Sequence, residues 1–411
     1  MRTRCCLALI SLAFFLNACG SSAAPINGED APPAESGGGR ITEAAPEQAK
    51  TIQPVDTGRP SATPRPSPSA TPSPTESLTP SPTSTITHTH TSTPTPTLTP
   101  TVTLTPTTTQ TPLTGANAFP MSIVAMRAGS YPGSEIVVDE ELTTAAGFRR
   151  YYVYYLSQGL KIYALLTVPD DEVPAGGWPG IVFNHGYIAP DEYRTTERYI
   201  DYVNRLANSG YVVFSIDYRG HGNSEGDPQG AYGDPGYEVD LLNAIASLKR
   251  HPSVNPQKIG LWGHSMGGYL GLRSMVISKD IKVGVIWAGV VAPYADLLYN
   301  WPVGPLAPPA NSRKWMDDWP AQFGPPETNP TFWNSISANS YLGDLSGPLQ
   351  LHYGTSDEYV PPEFSETLAR QVREANGQVE VYSYLNDNHN LTGFFNLAMD
   401  RTIAFFDSVL K

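Results

Sequence analysis

Lys258-Ile259-Gly260-Leu261-Trp262-Gly263-His264-Ser265-Met266-Gly267-Gly268-Tyr269 decides how this chain is read. A short apolar run that ends in Gly-x-Ser-x-Gly and passes at once into helix-forming residues, Gly268 to Met275, is a strand, a very tight turn and a helix. The turn is tight enough to force its central Ser into a strained backbone conformation. Small residues two before and two after it prevent collision of the flanking backbone. The hydroxyl of Ser265 is thereby lifted clear of the sheet edge, in front of the positive end of the helix dipole. The alternative is a glycine-rich strand-to-helix turn with an incidental Ser, and the rest of the chain must choose between the two.

Outward from this turn, apolar runs alternate with helical patterns. Upstream, Glu135 to Glu140, Arg149 to Tyr155 and Leu160 to Val168 are rich in β-branched and aromatic residues, and predict antiparallel strands. Gly180 to Asn184 and Tyr211 to Ile216 are continuous apolar runs, the pattern of strands buried on both faces. Tyr199 to Asn208 and Tyr237 to Lys249 read as helices. Downstream, Val283 to Ala288, Leu349 to Tyr353 and Val379 to Tyr384 continue the strands, with helices over Phe364 to Ala375 and Leu397 to Val409. Such alternation predicts an α/β fold with a mostly parallel sheet covered by helices on both faces.

Four segments at predicted strand ends carry polar chemistry. They are Asn184-His185-Gly186-Tyr187, Asp217-Tyr218-Arg219-Gly220-His221-Gly222, His352-Tyr353-Gly354-Thr355-Ser356-Asp357-Glu358, and Asn386-Asp387-Asn388-His389-Asn390. The second has neither a Gly-Lys-Ser/Thr nor a G-x-G-x-x-G pattern, so it reads as a structural turn in which Asp217 and Arg219 bond locally. His185 reads as a structural imidazole bonded to a neighbouring loop.

Together with the Ser265 turn, the segments around Asp357, Val360-Pro361 and His389 resemble the α/β-hydrolase superfamily over about Tyr152 to Val409. Within it they are most similar to the catalytic domain of prolyl oligopeptidase-like serine peptidases and related esterases. The resemblance implies an α/β-hydrolase fold with Ser265 as nucleophile, Asp357 as orienting acid and His389 as base, in the family order Ser, acid, His. His389 is the only histidine after Asp357, and Glu358 is the nearest competitor for the acid. The family pattern places the oxyanion-hole N–H groups on Tyr187 and Met266. It implies two-step acyl transfer on a small acyl ester or short peptide, with no cofactor and no metal, and activity that falls as His389 protonates. Large peptidases of this group carry an N-terminal propeller, and this chain has different material there.

Residues 1–19 combine Arg2 and Arg4 with an apolar core from Leu7 to Leu16, as a secretory signal does, and the core is too short to span a bilayer. Leu16-Asn17-Ala18-Cys19 resembles a bacterial lipobox, which implies lipidation of Cys19 and a partner in the membrane, with a cell-envelope location. An ordinary signal cut near Ala23 or Ala24 is the alternative. The chain's 3 cysteines, Cys5, Cys6 and Cys19, all lie in this segment, so residues 20–411 have no thiol for a disulfide, zinc site or cysteine nucleophile. Residues 20–118 are Pro-, Thr- and Ser-rich and predict a disordered stalk, because they offer too little apolar surface to offset their ordering entropy. His88 and His90 within it are too few for a fixed metal site.

Residues 119–411 then form one α/β domain. The whole chain's formal charge of −13, with no Lys/Arg cluster in residues 119–411, argues against nucleic acid as a partner. Residues 292–343 sit where this fold often inserts a cap. They hold Trp301, Trp315, Trp319 and Trp333, four of the chain's 7 tryptophans, with Phe323 and Phe332. These aromatics either wall an acyl pocket or pack the excursion onto the body. Two other functions stay open: a surface-displayed binding protein with an inactive hydrolase fold, and a non-hydrolytic enzyme on the same fold.

Overall fold

The structure, a computed structural model, describes residues 113–302 and 313–411. The predicted signal segment with Cys19, the stalk through residue 112 with His88 and His90, and residues 303–312 of the expected cap lie outside the described residues. The strands are β1 (Val137–Ala145), β2 (Phe148–Ser157), β3 (Leu160–Pro169), β4 (Trp178–Asn184), β5 (Val212–Ile216), β6 (Val254–His264), β7 (Ile281–Trp287), β8 (Leu349–Gly354) and β9 (Val379–Tyr384). They form one sheet of nine strands in the order β1-β2-β3-β5-β4-β6-β7-β8-β9. The first three strands and the β3–β5 pair are antiparallel, and every pair from β5 to β9 is parallel.

The parallel half is mostly apolar run, because it is covered on both sides. Along β4 the side chains alternate: Ile181 and Phe183 face the layer formed by α2 (Ile200–Asn208) and α9 (Phe395–Leu410), while Val182 faces the opposite one. That opposite layer contains α1 (Ile123–Ala128), α3 (Gly236–Leu248), α4 (Met266–Ile277) and α8 (Pro362–Glu374). Arg273, buried on α4, ties the second layer together. Its Nε donates to Glu238 of α3 at 2.7 Å, and its other nitrogens reach the carbonyls of Met121 and Ile336.

The excursion after β7 contains α5 (Tyr294–Asn300), α6 (Trp315–Phe323) and α7 (Pro330–Ile336). Its aromatics pack in two places. Trp315 and Trp319 pack against Tyr294, and Phe119 inserts among Trp319, Phe323 and Phe332 with ring centroids 5.2–5.4 Å apart. These rings fasten the excursion to the body. Trp301 instead packs edge-on against Tyr232 and donates its indole N–H to the carbonyl of Tyr359 at 3.1 Å, beside the segment that bears Asp357.

Parallel strands all point the same way, so their C-terminal ends open on one edge of the sheet. The register pairs Asn184 with Gly263 and His264 with Trp287. The loops after β4, β6, β8 and β9 therefore emerge together, and these are the loops that carry Tyr187, Ser265, Asp357 and His389.

Candidate active site

Ser265 stands between β6 and α4 with φ 54° and ψ −116°, a backbone conformation that a residue with a Cβ rarely adopts and that costs on the order of 1–3 kcal/mol. The surroundings over-determine it. Its N–H donates to the Trp287 carbonyl at 3.0 Å, and its carbonyl accepts from Gly268, Tyr269 and Val290. A Cβ on Gly263 would overlap the Gly267 backbone, and one on Gly267 would overlap the Asn184 carbonyl. The glycines are thus required by close backbone approach, as the motif spacing predicts.

Asp357 follows β8. Its Oδ1 accepts the backbone N–H groups of Tyr359 at 2.8 Å and Val360 at 2.9 Å. His389 lies in the turn after β9, and its Nδ1 sits 2.8 Å from Oδ2 and 3.0 Å from Oδ1 of Asp357. The Asp357 side chain is 1% exposed and that of His389 9%, so the pair meets away from bulk water. A carboxylate accepts only, so the Nδ1 atom of His389 carries the proton in this bond, and in the neutral ring Nε2 carries none. Glu358, the competitor for the acid, is not the group bonded to His389.

The His389 loop is braced by Asp387, a residue that no motif singled out. Asp387 accepts from the N–H groups of Asn388 and Gly393 through Oδ1 and from that of Phe394 through Oδ2. An Asp shortly before a helix is a familiar bracing pattern, and that signal was present in Asn386-Asp387-Asn388. The Tyr359 ring lies 5.1 Å from the His389 ring and is partly exposed, which puts it at the mouth of the site.

Gly186 and Tyr187 come over Ser265 from the end of β4. A Cβ on Gly186 would stand 3.2 Å from Cβ of Ser265, so the loop backbone lies directly against the elbow. Met266 is the first residue of α4, where N–H groups have no partner inside the helix. The ring of His185 is buried against Tyr193, with Nδ1 2.6 Å from the Gly186 carbonyl, and burial holds its pKa down at about 3. In the turn after β5, Asp217 accepts from Tyr193 at 3.0 Å and Thr195 at 2.5 Å, while Arg219 forms an ion pair with Asp240. Neither group faces the elbow through these bonds. Among the described residues no group of three or more acidic, His or Cys side chains is arranged to hold a metal.

A family model described as Alpha/beta hydrolase family matches residues 176–394. An uncharacterized peptidase, YtmA of Bacillus subtilis (strain 168), is 25% identical over 242 residues, which are 59% of this chain and 86% of that protein. Among solved structures, acetyl xylan esterase 1 from Thermoanaerobacterium sp. JW/SL YS485 matches with a TM-score of 0.52 at 19% identity, over 69% of this chain and 90% of the esterase. A Pyrococcus horikoshii acylaminoacyl peptidase matches with a TM-score of 0.51 at 19% identity, over 65% of this chain but only 42% of that protein. At such identities the two structures establish the shared fold, and the proteins that share it are named peptidases and esterases alike. The chain belongs to the α/β hydrolase family.

Proposed function

We propose that this chain is an exported serine hydrolase that cleaves ester or amide bonds through Ser265, Asp357 and His389. The observation that carries the reading is the His389–Asp357 hydrogen bond, with Ser265, held at φ 54° at the end of β6, next in sequence to His264, whose ring lies 4.6 Å from that of His389. In the reaction the free nitrogen of His389 takes the Ser265 proton as the hydroxyl oxygen attacks the carbonyl carbon. The imidazolium that forms is stabilised by Asp357. The N–H groups of Tyr187 and Met266 receive the oxyanion, a contribution of about 3 kcal/mol each in water-excluded sites of this type. His389 then protonates the departing alcohol or amine. Water enters, gives its proton to His389 and attacks the acyl-enzyme carbonyl, and collapse releases the acid and restores Ser265.

The substrates proposed are small acyl esters or short peptides; the names of the relatives reported above support no more than a peptidase or an esterase. Export rests on the charge and apolar pattern of residues 1–19, and membrane attachment rests on Leu16-Asn17-Ala18-Cys19. The test is labelling of the full chain by a fluorophosphonate, beside Ser265→Ala, followed by short p-nitrophenyl esters and Xaa-Pro amides on the same samples. Labelling that disappears in Ser265→Ala is the expected result, and the preferred substrate assigns esterase or peptidase. A folded wild type that does not label removes the hydrolase reading and leaves a surface-displayed binding protein.

A further inference from the structure

Three hydrogen bonds join the oxyanion loop to the His389 loop by way of the residue that precedes the nucleophile. The N–H of Gly186 lies 3.1 Å from Oη of Tyr199. Oη of Tyr199 lies 2.7 Å from Nδ1 of His264. Nε2 of His264 lies 3.0 Å from the carbonyl oxygen of His389.

Chemistry sets the direction of every link. A carbonyl oxygen can only accept, so the proton of His264 is on Nε2. In the neutral ring Nδ1 is then bare and accepts, so Tyr199 donates its O–H to it. The lone pairs of Oη are left for the Gly186 N–H. Burial drives the His264 pKa down to about 3, so the ring is neutral wherever the hydrolase works. That neutrality has a second use. The His264 and His389 rings are 4.6 Å apart, and a charged His264 would oppose the imidazolium that catalysis creates on His389.

Tyr199 holds its end of the chain by an unusual backbone. It precedes α2 with φ 58° and ψ 16°, a left-handed conformation that costs a non-glycine residue about 1 kcal/mol. Its ring packs edge-on against Phe183 of β4 and Trp262 of β6, which fixes the hydroxyl relative to the two central strands. Gly186 matches this arrangement: a Cβ there would stand 2.8 Å from Oη of Tyr199 and 3.0 Å from Nδ1 of His264.

We propose that Tyr199 and His264 are positioning residues for the hydrolase reaction, holding the Gly186–Tyr187 oxyanion loop and the His389 base in register with Ser265 through one directed hydrogen-bond chain. The inference rests on the hydrolase reading above. Neither side chain touches substrate. Each acts through the loop that it restrains, and a misplacement of about 1 Å at such groups can cost 10²-fold in rate.

The test uses the full chain with p-nitrophenyl acetate, comparing wild type, Tyr199→Phe, His264→Phe and the double variant. Tyr211→Phe serves as a control, because its hydroxyl bonds Asp407 in another part of the fold. We expect kcat to fall about 10- to 100-fold in each single variant with KM within about 2-fold. The double variant should be little worse than the worse single one, because the two changes break one chain. Tyr211→Phe should keep kcat.

Wild-type kcat in Tyr199→Phe, an effect confined to KM, or fully multiplicative losses would overturn the proposal. If His264→Phe does not fold, Tyr199→Phe alone decides, since it removes a single oxygen atom. Absence of labelling and hydrolysis in wild type would instead defeat the hydrolase reading itself. The two failures are therefore distinct.

Discussion

Asp357 holds His389 from both carboxylate oxygens, at 2.8 and 3.0 Å from Nδ1, while one of those oxygens also accepts two backbone N–H groups of its own turn. The Asp357 carboxylate is therefore fixed independently of His389. Asp357→Asn should leave the turn folded, because the amide oxygen can still accept from Tyr359 and Val360. It offers His389 an N–H in place of an acceptor and disrupts the tautomer. We expect kcat on an activated ester to fall by about 10³–10⁴-fold with a near-native melting temperature. A loss below tenfold would move the acid role elsewhere, with Glu358 the first residue to examine.

The elbow and the loop above it should respond differently to one added methyl group. In Gly267→Ala the new carbon would overlap the Asn184 carbonyl, which is main chain at the end of β4 and cannot move away cheaply. We expect destabilisation of about 3 kcal/mol or more, and poor expression. In Gly186→Ala the nearest atoms are side-chain ends on Tyr199 and His264 together with Cβ of Ser265. That variant should fold but lose most fluorophosphonate reactivity. Thermal melts and labelling of both variants check the contrast.

Trp301 provides the excursion's bond to the acid turn. Trp301→Phe keeps a ring against Tyr232 but leaves the Tyr359 carbonyl without its donor. The expected outcome is a modest fall in kcat/KM, less than about 10-fold, consistent with the loss of one hydrogen bond of about 1 kcal/mol. Trp301→Ala also removes the packed ring and should raise KM further. Steady-state kinetics on both variants measures the difference, and equal values for the two would assign the whole effect to the hydrogen bond.

The Arg273–Glu238 pair is a liability if halved. Both side chains are 1% exposed, and burial raises the Glu238 carboxyl above the usual range even with Arg273 beside it. Arg273→Met strands a buried carboxylate and frees the carbonyls of Met121 and Ile336. We expect a loss of about 3–5 kcal/mol, partly restored when Glu238→Leu is added. Urea unfolding of the single and double variants tests this, and an additive rather than compensating double variant would contradict it.

Stability should fall on acidification. Burial holds the imidazoles of His185, His264 and His352 at about 3 in the fold, whereas unfolded histidine titrates near 6.5. Between those values the unfolded chain binds protons that the fold refuses, so each group favours the fold less as pH drops through the window. Asp217 acts in the opposite sense. Burial raises it to about 7, against the hydrogen bonds from Thr195 and Tyr193. Its contribution is fully present below the unfolded carboxyl value of about 3.9 and is lost as pH rises through about 7. Each group contributes roughly 1 kcal/mol per pH unit within its window. Glu238, raised by burial, acts with Asp217. His221 and His251, lowered by burial, act with the other imidazoles, which outnumber the carboxyls. Urea midpoints should therefore drop from pH 7 to pH 5, and drop more steeply in Asp217→Asn. A midpoint that rises on acidification would refute the balance.

The elements were legible in the chain because their signals are short-range, and so were the strand-end segments from which the site is proposed. Continuous apolar runs marked β4, β5 and the second half of β6, which are buried on both faces, whereas the edge strand β9 alternates apolar and polar residues. Glycine spacing marked the Ser265 elbow, since only Gly263 and Gly267 leave room for the backbone there. Asp357 and His389 could be named because they follow strands in the family order.

What the sequence could not disclose depends on which loops become neighbours. Tyr199 and His264 are 65 residues apart, and they meet because the order β5-β4-β6 sets the loop after β4 and the start of α2 beside the end of β6. Composition revealed the tryptophans after β7. Only packing separated Trp315 and Trp319, turned onto Tyr294, from Trp301, turned toward the acid turn. Local propensity sets strand, turn and helix. The direction of a hydrogen bond between distant loops is set by sheet order, which arises from burial of the whole core and from no single segment of it.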